Sequence, residues 1–85
     1  MSRYSIQFKK SAAKELYALP KKEVTRIAKV IKNLSYEPRP QGCKKLKGYK
    51  NFWRVRSGNY RIIYSIEDEI LIVEILEVVN RKDAY

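Results

Sequence analysis

With 85 residues, one cysteine and a formal net charge of +10, the chain has room for a single small domain, residues 1–85, and for no internal disulfide. The lone Cys43 suits a reducing, cytoplasmic setting. The N-terminal MSRYSIQFKK lacks a signal peptide's apolar core, and no apolar run nears the roughly 20 residues of a membrane span, so we expect a soluble protein.

The first predicted element is a half-buried strand, in which Tyr4, Ile6 and Phe8 alternate with Arg3, Ser5 and Gln7. Ser11 is placed to cap a helix through AAKELYAL, with Ala12, Leu16 and Leu19 on one stripe. Pro20 fits the first turn of a second helix, where its missing N–H costs nothing. There Val24, Ile27, Ala28, Ile31 and Leu34 form an apolar face, and Lys22, Arg26, Lys29 and Lys32 the opposite one. Residues 36–51, with Pro38, Pro40, Gly42 and Gly48, read as an irregular loop. The segments FWRVRS, NYRIIYSI and ILIVEILEVV then read as three strands. The turns between them, around Ser57-Gly58-Asn59 and Glu67-Asp68-Glu69, are short enough for antiparallel hairpins. The last strand is apolar on both faces until Glu74 and Glu77, as a central strand is. The predicted fold is therefore α+β, in the order β-α-α-β-β-β, with a helical hairpin packed on one face of an antiparallel sheet.

Charge is spread unevenly over these elements. Residues 1–64 hold 17 basic and 3 acidic side chains, and residues 65–85 hold 2 and 6. From Lys44 to Arg61 there are seven basic residues and no acid, which suggests a polyanionic partner. The plainer reading is a basic surface that only keeps the protein soluble. A membrane surface fits less well, because the run has neither helical periodicity nor a lipid-facing stripe. Alternation in the strand Phe52–Ser57 sends Trp53 and Val55 to one face and Arg54 and Arg56 to the other. Arg61 joins them if the hairpin register permits, and Arg81, just past the last strand, can close the group. Guanidinium forks match phosphate oxygens and stay charged at any working pH. Lys44, Lys45, Lys47 and Lys50 lie beside them in sequence.

Without histidine there is no Ser-His-Asp or Cys-His arrangement and no Cys/His metal site, and no glycine-rich phosphate loop occurs. Glu67 and Glu69 read as solvated turn residues. Of the aromatics, Phe8, Trp53, Tyr60 and Tyr64 read as core, whereas Tyr49 and Phe52 border the basic loop, where base stacking is an option. Arginine, lysine and tyrosine remain, and RNA cleavage can use them, because its nucleophile is the substrate's own 2′-hydroxyl.

KLKG (Lys45–Gly48), the Arg-x-Arg of WRVR, the GNYRIIY segment and the closing NRKDAY resemble the RelE family within the RelE/ParE toxin superfamily. The N-terminal YSIQFKKSAAKELYALP resembles the same family's first strand and helix, so the likeness covers nearly the whole chain. It implies a compact fold related to microbial ribonucleases. It also implies a type II toxin that cleaves mRNA on the ribosome, needs no metal or cofactor, and is neutralised by an antitoxin. By this likeness Arg61 and Arg81 stabilise the phosphate, and Arg54 and Arg56 contact RNA or assist proton transfer. Tyr85 is the family's functional C-terminal tyrosine, and Lys44, Lys45, Lys47, Lys50 and Lys82 are RNA contacts. The chain departs from the pattern at Asn80, where many relatives carry histidine and where no proton can be transferred. Two other readings stay open: a ParE-like inhibitor of DNA gyrase without enzymatic activity, and a catalytically inactive RNA-binding module. The expected partners are the ribosome with its rRNA, mRNA, and an acidic RelB-like antitoxin whose segment folds on contact.

Overall fold

The computed structural model describes residues 3–80. Its elements are β1 (Ser5–Phe8), α1 (Lys10–Tyr17), α2 (Lys21–Leu34), β2 (Lys44–Lys45), β3 (Phe52–Ser57), β4 (Tyr60–Glu67) and β5 (Ile72–Asn80). The five strands form one sheet in the order β1-β5-β4-β3-β2, with both helices on one face. Ala12 and Leu16 of α1 and Ile27, Ile31 and Leu34 of α2 meet Val55, Ile62, Tyr64, Ile66, Val73, Ile75 and Val78 in a single core.

The sheet is mixed, which corrects the wholly antiparallel expectation. β3–β4 and β4–β5 are antiparallel, but β1 runs parallel to β5, with Ser5 beside Ile72 and Phe8 beside Ile75. Short turns dictate antiparallel neighbours only for the strands they join; β1 is joined to the rest through two helices, so packing chooses its partner. Between β3 and β4, Ser57 pairs with Tyr60 and leaves a two-residue loop. Gly58 adopts φ 60° while Asn59 keeps a negative φ, the combination a type II′ turn requires. The β4–β5 connection is longer than expected, because β5 starts at Ile72 and Leu71 takes a left-handed φ of 55°. Within that pair Ile63 faces Glu77 but Tyr64 faces Ile75, so Leu76 is the extra residue of a bulge.

Other local expectations shift. The N-cap of α1 is Lys9, which makes no side-chain cap bond, so Ser11 lies inside the first turn. Pro20 is the N-cap of α2 itself, and its carbonyl accepts the N–H groups of Glu23 and Val24. Ala28 is exposed, so the buried stripe of α2 is narrower than the sequence pattern. Phe8, expected in the core, is 40% exposed at the end of the edge strand β1.

The 36–51 segment is more ordered than an irregular loop. Cys43 N–H closes a turn onto the Pro40 carbonyl (3.0 Å) with Gly42 at φ 93°, as the third position of a type II turn demands. β2 follows, pairing with β3 through Lys44–Arg54 and Lys45–Trp53. The buried Tyr64 hydroxyl donates to the Pro38 carbonyl (2.8 Å), and burial raises the pKa of that phenol well above its ordinary value. Arg39 lies 5.0 Å over the Trp53 ring and forks onto Asp68, Nη1 to Oδ1 at 3.2 Å and Nη2 to Oδ2 at 2.8 Å. Tyr4 donates its hydroxyl to the same Oδ1 at 2.6 Å. The segment that leads into the basic strand is thus fastened to β4, to the β4–β5 turn and to the start of the chain.

Candidate nucleic-acid interface

Register decides which basic side chains share a face, because directly paired residues of neighbouring strands point the same way. Arg56 pairs with Arg61, Arg54 with Ile63, and Lys44 with Arg54. The face away from the helices therefore carries Lys44, Arg54, Arg56 and Arg61 on three successive strands. The condition set by the hairpin register is met by the two-residue Gly58–Asn59 turn, which puts Arg61 directly across from Arg56. Opposed like charges are unfavourable in a sheet; among the described residues the acids that β5 places on this face, Glu77 and Glu74, stand opposite Ile63 and Ser65. Guanidinium forks of this kind match the oxygens of a phosphate group.

The three arginines differ in exposure. Arg61 is buried, at 8% exposure, on a central strand; Arg54 is half-buried and Arg56 exposed. A buried guanidinium on a central strand is held in a fixed direction, whereas an exposed one adapts to its ligand. Beside the start of β2, which the Gly42 turn precedes, lies a cavity of about 150 Å³ lined by Gly42, Lys44, Arg54, Val55 and Arg56. That space is enough for several waters or one phosphate-sized anion.

The other predicted site residues scatter. Lys45 pairs with Trp53 and so belongs to the helix face, away from the arginines. Lys47 and Lys50 are exposed in the β2–β3 connection. Asn80 pairs with Tyr60, and lines a cavity with Glu15, Leu19, Tyr60, Val78 and Val79, again away from the arginine row. Arg81, Lys82 and Tyr85 lie outside the described residues. Among the described residues no group of three metal-ligating side chains occurs, and no helix is long and apolar enough to cross a membrane.

Two contributors stand outside the predicted site. Asp68 sits between Glu67 and Glu69 in what reads as plain turn surface, yet it anchors both Arg39 and Tyr4. Arg39 stands in a Pro-Arg-Pro triplet, whose two rigid neighbours are a usable signal of a fixed side chain. The hydrogen bond from Arg39, and next that from Tyr4, lowers the Asp68 carboxyl to about 2, and the bond to that carboxylate raises the Tyr4 phenol above its ordinary value.

The family model described as the ParE toxin of type II toxin–antitoxin system, parDE, matches residues 6–85. Toxin RelG of Mycobacterium tuberculosis is 31% identical over 83 residues, covering 96% of this chain and 95% of its own. Among solved structures, the archaeal RelE–RelB complex from Pyrococcus horikoshii matches with a TM-score of 0.84 and 32% identity, over 96% of this chain and 99% of that one. The RelBE2 toxin–antitoxin complex of Mycobacterium tuberculosis also matches with a TM-score of 0.84 and 32% identity, over 98% and 97%. With helices, sheet and near full-length coverage in agreement, the chain belongs to the RelE/ParE family of type II toxin–antitoxin systems, as a RelE-family toxin.

Proposed function

We propose that this toxin is a ribosome-dependent, metal-independent mRNA endoribonuclease. The observation that carries the reading is the pairing of Arg56 with Arg61, beside Arg54 and Lys44, on the open face of a RelE-type sheet. In the reaction the 2′-hydroxyl oxygen bonds to the adjacent phosphorus, the bond from phosphorus to the 5′-oxygen breaks, and a cyclic 2′,3′-phosphate remains. One proton leaves the 2′-oxygen and one arrives at the 5′-oxygen. Arg61, held rigid by burial, and Arg81 stabilise the phosphorane charge, where fixed cations act most strongly. Arg54 and Arg56 hold neighbouring phosphates or assist the leaving oxygen. Tyr85 stacks on a base or takes the proton, and Lys44, Lys47, Lys50 and Lys82 add charge along the strand. The ribosome supplies the remaining alignment of 2′-oxygen and phosphorus.

The solved relatives from Pyrococcus horikoshii and Mycobacterium tuberculosis are complexes with an antitoxin. By that likeness this chain is neutralised by a RelB-like partner, whose acidic segment suits a +10 surface. A ParE-like reading is favoured by one observation, the description of the family model itself. Mapping mRNA ends by primer extension after induction, with and without ribosomes, separates the two. We expect cuts within reading frames that require ribosomes, and a loss of orders of magnitude in Arg61→Ala and Arg81→Ala. Intact mRNA with arrested DNA gyrase replaces this reading with the ParE-like one, and RNA bound without cleavage leaves an inactive binding module.

A further inference from the structure

Tyr49 and Phe52 stack on each other in the β2–β3 connection, ring centroids 4.9 Å apart and planes 5° from parallel. Trp53, Tyr60 and Tyr64 belong to or pack on the core, but neither Tyr49 nor Phe52 does. Tyr49 is 56% exposed, and Gly48 before it sits at φ 83°, a left-handed conformation that glycine adopts without strain. Tyr36 is also exposed, but Arg3 covers its ring at 5.5 Å and donates to its hydroxyl at 3.0 Å. Packing of the core thus does not explain the Tyr49–Phe52 pair.

Its position does. Phe52 lies two residues before Arg54 and four before Arg56, so alternation puts all three on the open face. Side chains two residues apart on a strand are separated by about 6.8 Å. An aromatic surface and two guanidiniums therefore follow one another in a row along β3. Lys47 and Lys50 stand on either side of Tyr49 in sequence, and no acid occurs anywhere from Lys44 to Arg61. We propose that the Tyr49–Phe52 pair is a platform on which an unpaired base of a single-stranded RNA stacks, while Arg54 and Arg56 hold the phosphates that follow. Every base has a π-face, so the platform positions the strand without choosing its sequence. This deepens the ribonuclease reading and rests on it for the identity of the strand.

The test uses the full chain and a short single-stranded RNA with 2-aminopurine in place of one base and 2′-O-methyl groups throughout, which removes the nucleophile. Binding is expected to quench the 2-aminopurine fluorescence. Tyr49→Ala is expected to abolish the quench and weaken binding by roughly five- to 150-fold. Tyr49→Phe keeps both, and because Tyr49 is exposed, thermal melting confirms that the Ala variant is folded. Tyr49→Ala leaves the salt dependence unchanged. Lys47→Ala and Lys50→Ala do the reverse: they retain the quench and flatten the slope of log K against log salt by about 0.7 for each phosphate no longer neutralised. Wild-type quench and affinity in folded Tyr49→Ala, or no binding of the oligonucleotide by the wild type, overturns the platform. Cleavage of mRNA on ribosomes is scored separately. A quench that depends on Tyr49, in a protein that never cuts mRNA, keeps the platform and removes the nuclease reading. Full cleavage by Tyr49→Ala with an unchanged quench does the opposite.

Discussion

Asp68 receives hydrogen bonds from two directions, from Arg39 in the loop before β2 and from Tyr4 near the start of the chain. It is exposed, and an exposed ion pair alone contributes little. Here the fork is bidentate, and the same guanidinium also rests on Trp53, so one side chain fixes several segments at once. The bond from Arg39 holds the Asp68 carboxyl at about 2, below the ordinary 3.8 of an unfolded chain. A depressed folded value means that the contribution to stability is present above about 3.8 and lost as pH falls through about 2. We expect an NMR titration of the Asp68 carboxyl to show a midpoint near 2, and Asp68→Asn to remove the acid-labile part of the stability between pH 4 and 2. A midpoint at the ordinary carboxylate value means that the clamp does not hold in solution.

β1 has four residues against the nine of β5 beside it. It ends opposite Ile75, so among the described residues β5 continues from Leu76 to Asn80 with no strand on that side. Helix α1 covers the gap. Lys9 N–H donates to the Ile75 carbonyl at 2.9 Å, and the Glu15 carboxylate accepts the Val78 N–H at 3.0 Å. Glu15 is the only acid among the first 22 residues, and it acts as a side-chain substitute for a missing strand. Removing it leaves a part-buried donor without its acceptor, which costs about 1–3 kcal/mol. In a domain of this size each kcal/mol lowers Tm by roughly 4–8 °C. We expect Glu15→Ala to melt lower and to speed hydrogen exchange at the Val78 amide, while Glu15→Gln, which keeps an acceptor oxygen, retains most of both. Unchanged exchange at Val78 in Glu15→Ala removes this role.

At the scale of the whole molecule, the described residues of this +10 chain include two basic rows on opposite sides of the sheet. One is the row Lys44, Arg54, Arg56 and Arg61; the other is the outer side of α2, where Lys22, Arg26, Lys29 and Lys32 are exposed. Non-specific attraction draws on all of them, but only groups that touch phosphate release counterions on binding. If the strand face holds the RNA, Arg56→Ala flattens the slope of log K against log salt by about 0.7, and Lys29→Ala leaves it where it was. Equal changes in the two variants place RNA on the helix side as well.

Much of this is legible at short range. Alternation over six residues separates Trp53 and Val55 from Arg54 and Arg56, and the spacing of Ile27, Ile31 and Leu34 marks the buried side of α2. Short turns with Gly58 or acids join three strands into antiparallel neighbours, and the run from Lys44 to Arg61 without an acid points to a polyanion. These are properties of segments whose own periodicity decides their faces. Contacts between distant segments are not legible: Glu15 meets Val78 across 63 residues and Tyr4 meets Asp68 across 64. β1 takes a parallel partner, Lys45 turns to the helix side although Lys44 does not, and Arg61 joins Arg56 only because the turn at Gly58 sets the register. A one-residue slip there moves Arg61 to the other face, since side chains in a strand repeat every two residues. The sequence by itself determined which groups are charged, apolar or turn-forming. Only the tertiary structure decided which of them meet, because register and long-range partners depend on the packing of the whole core and not on any local pattern.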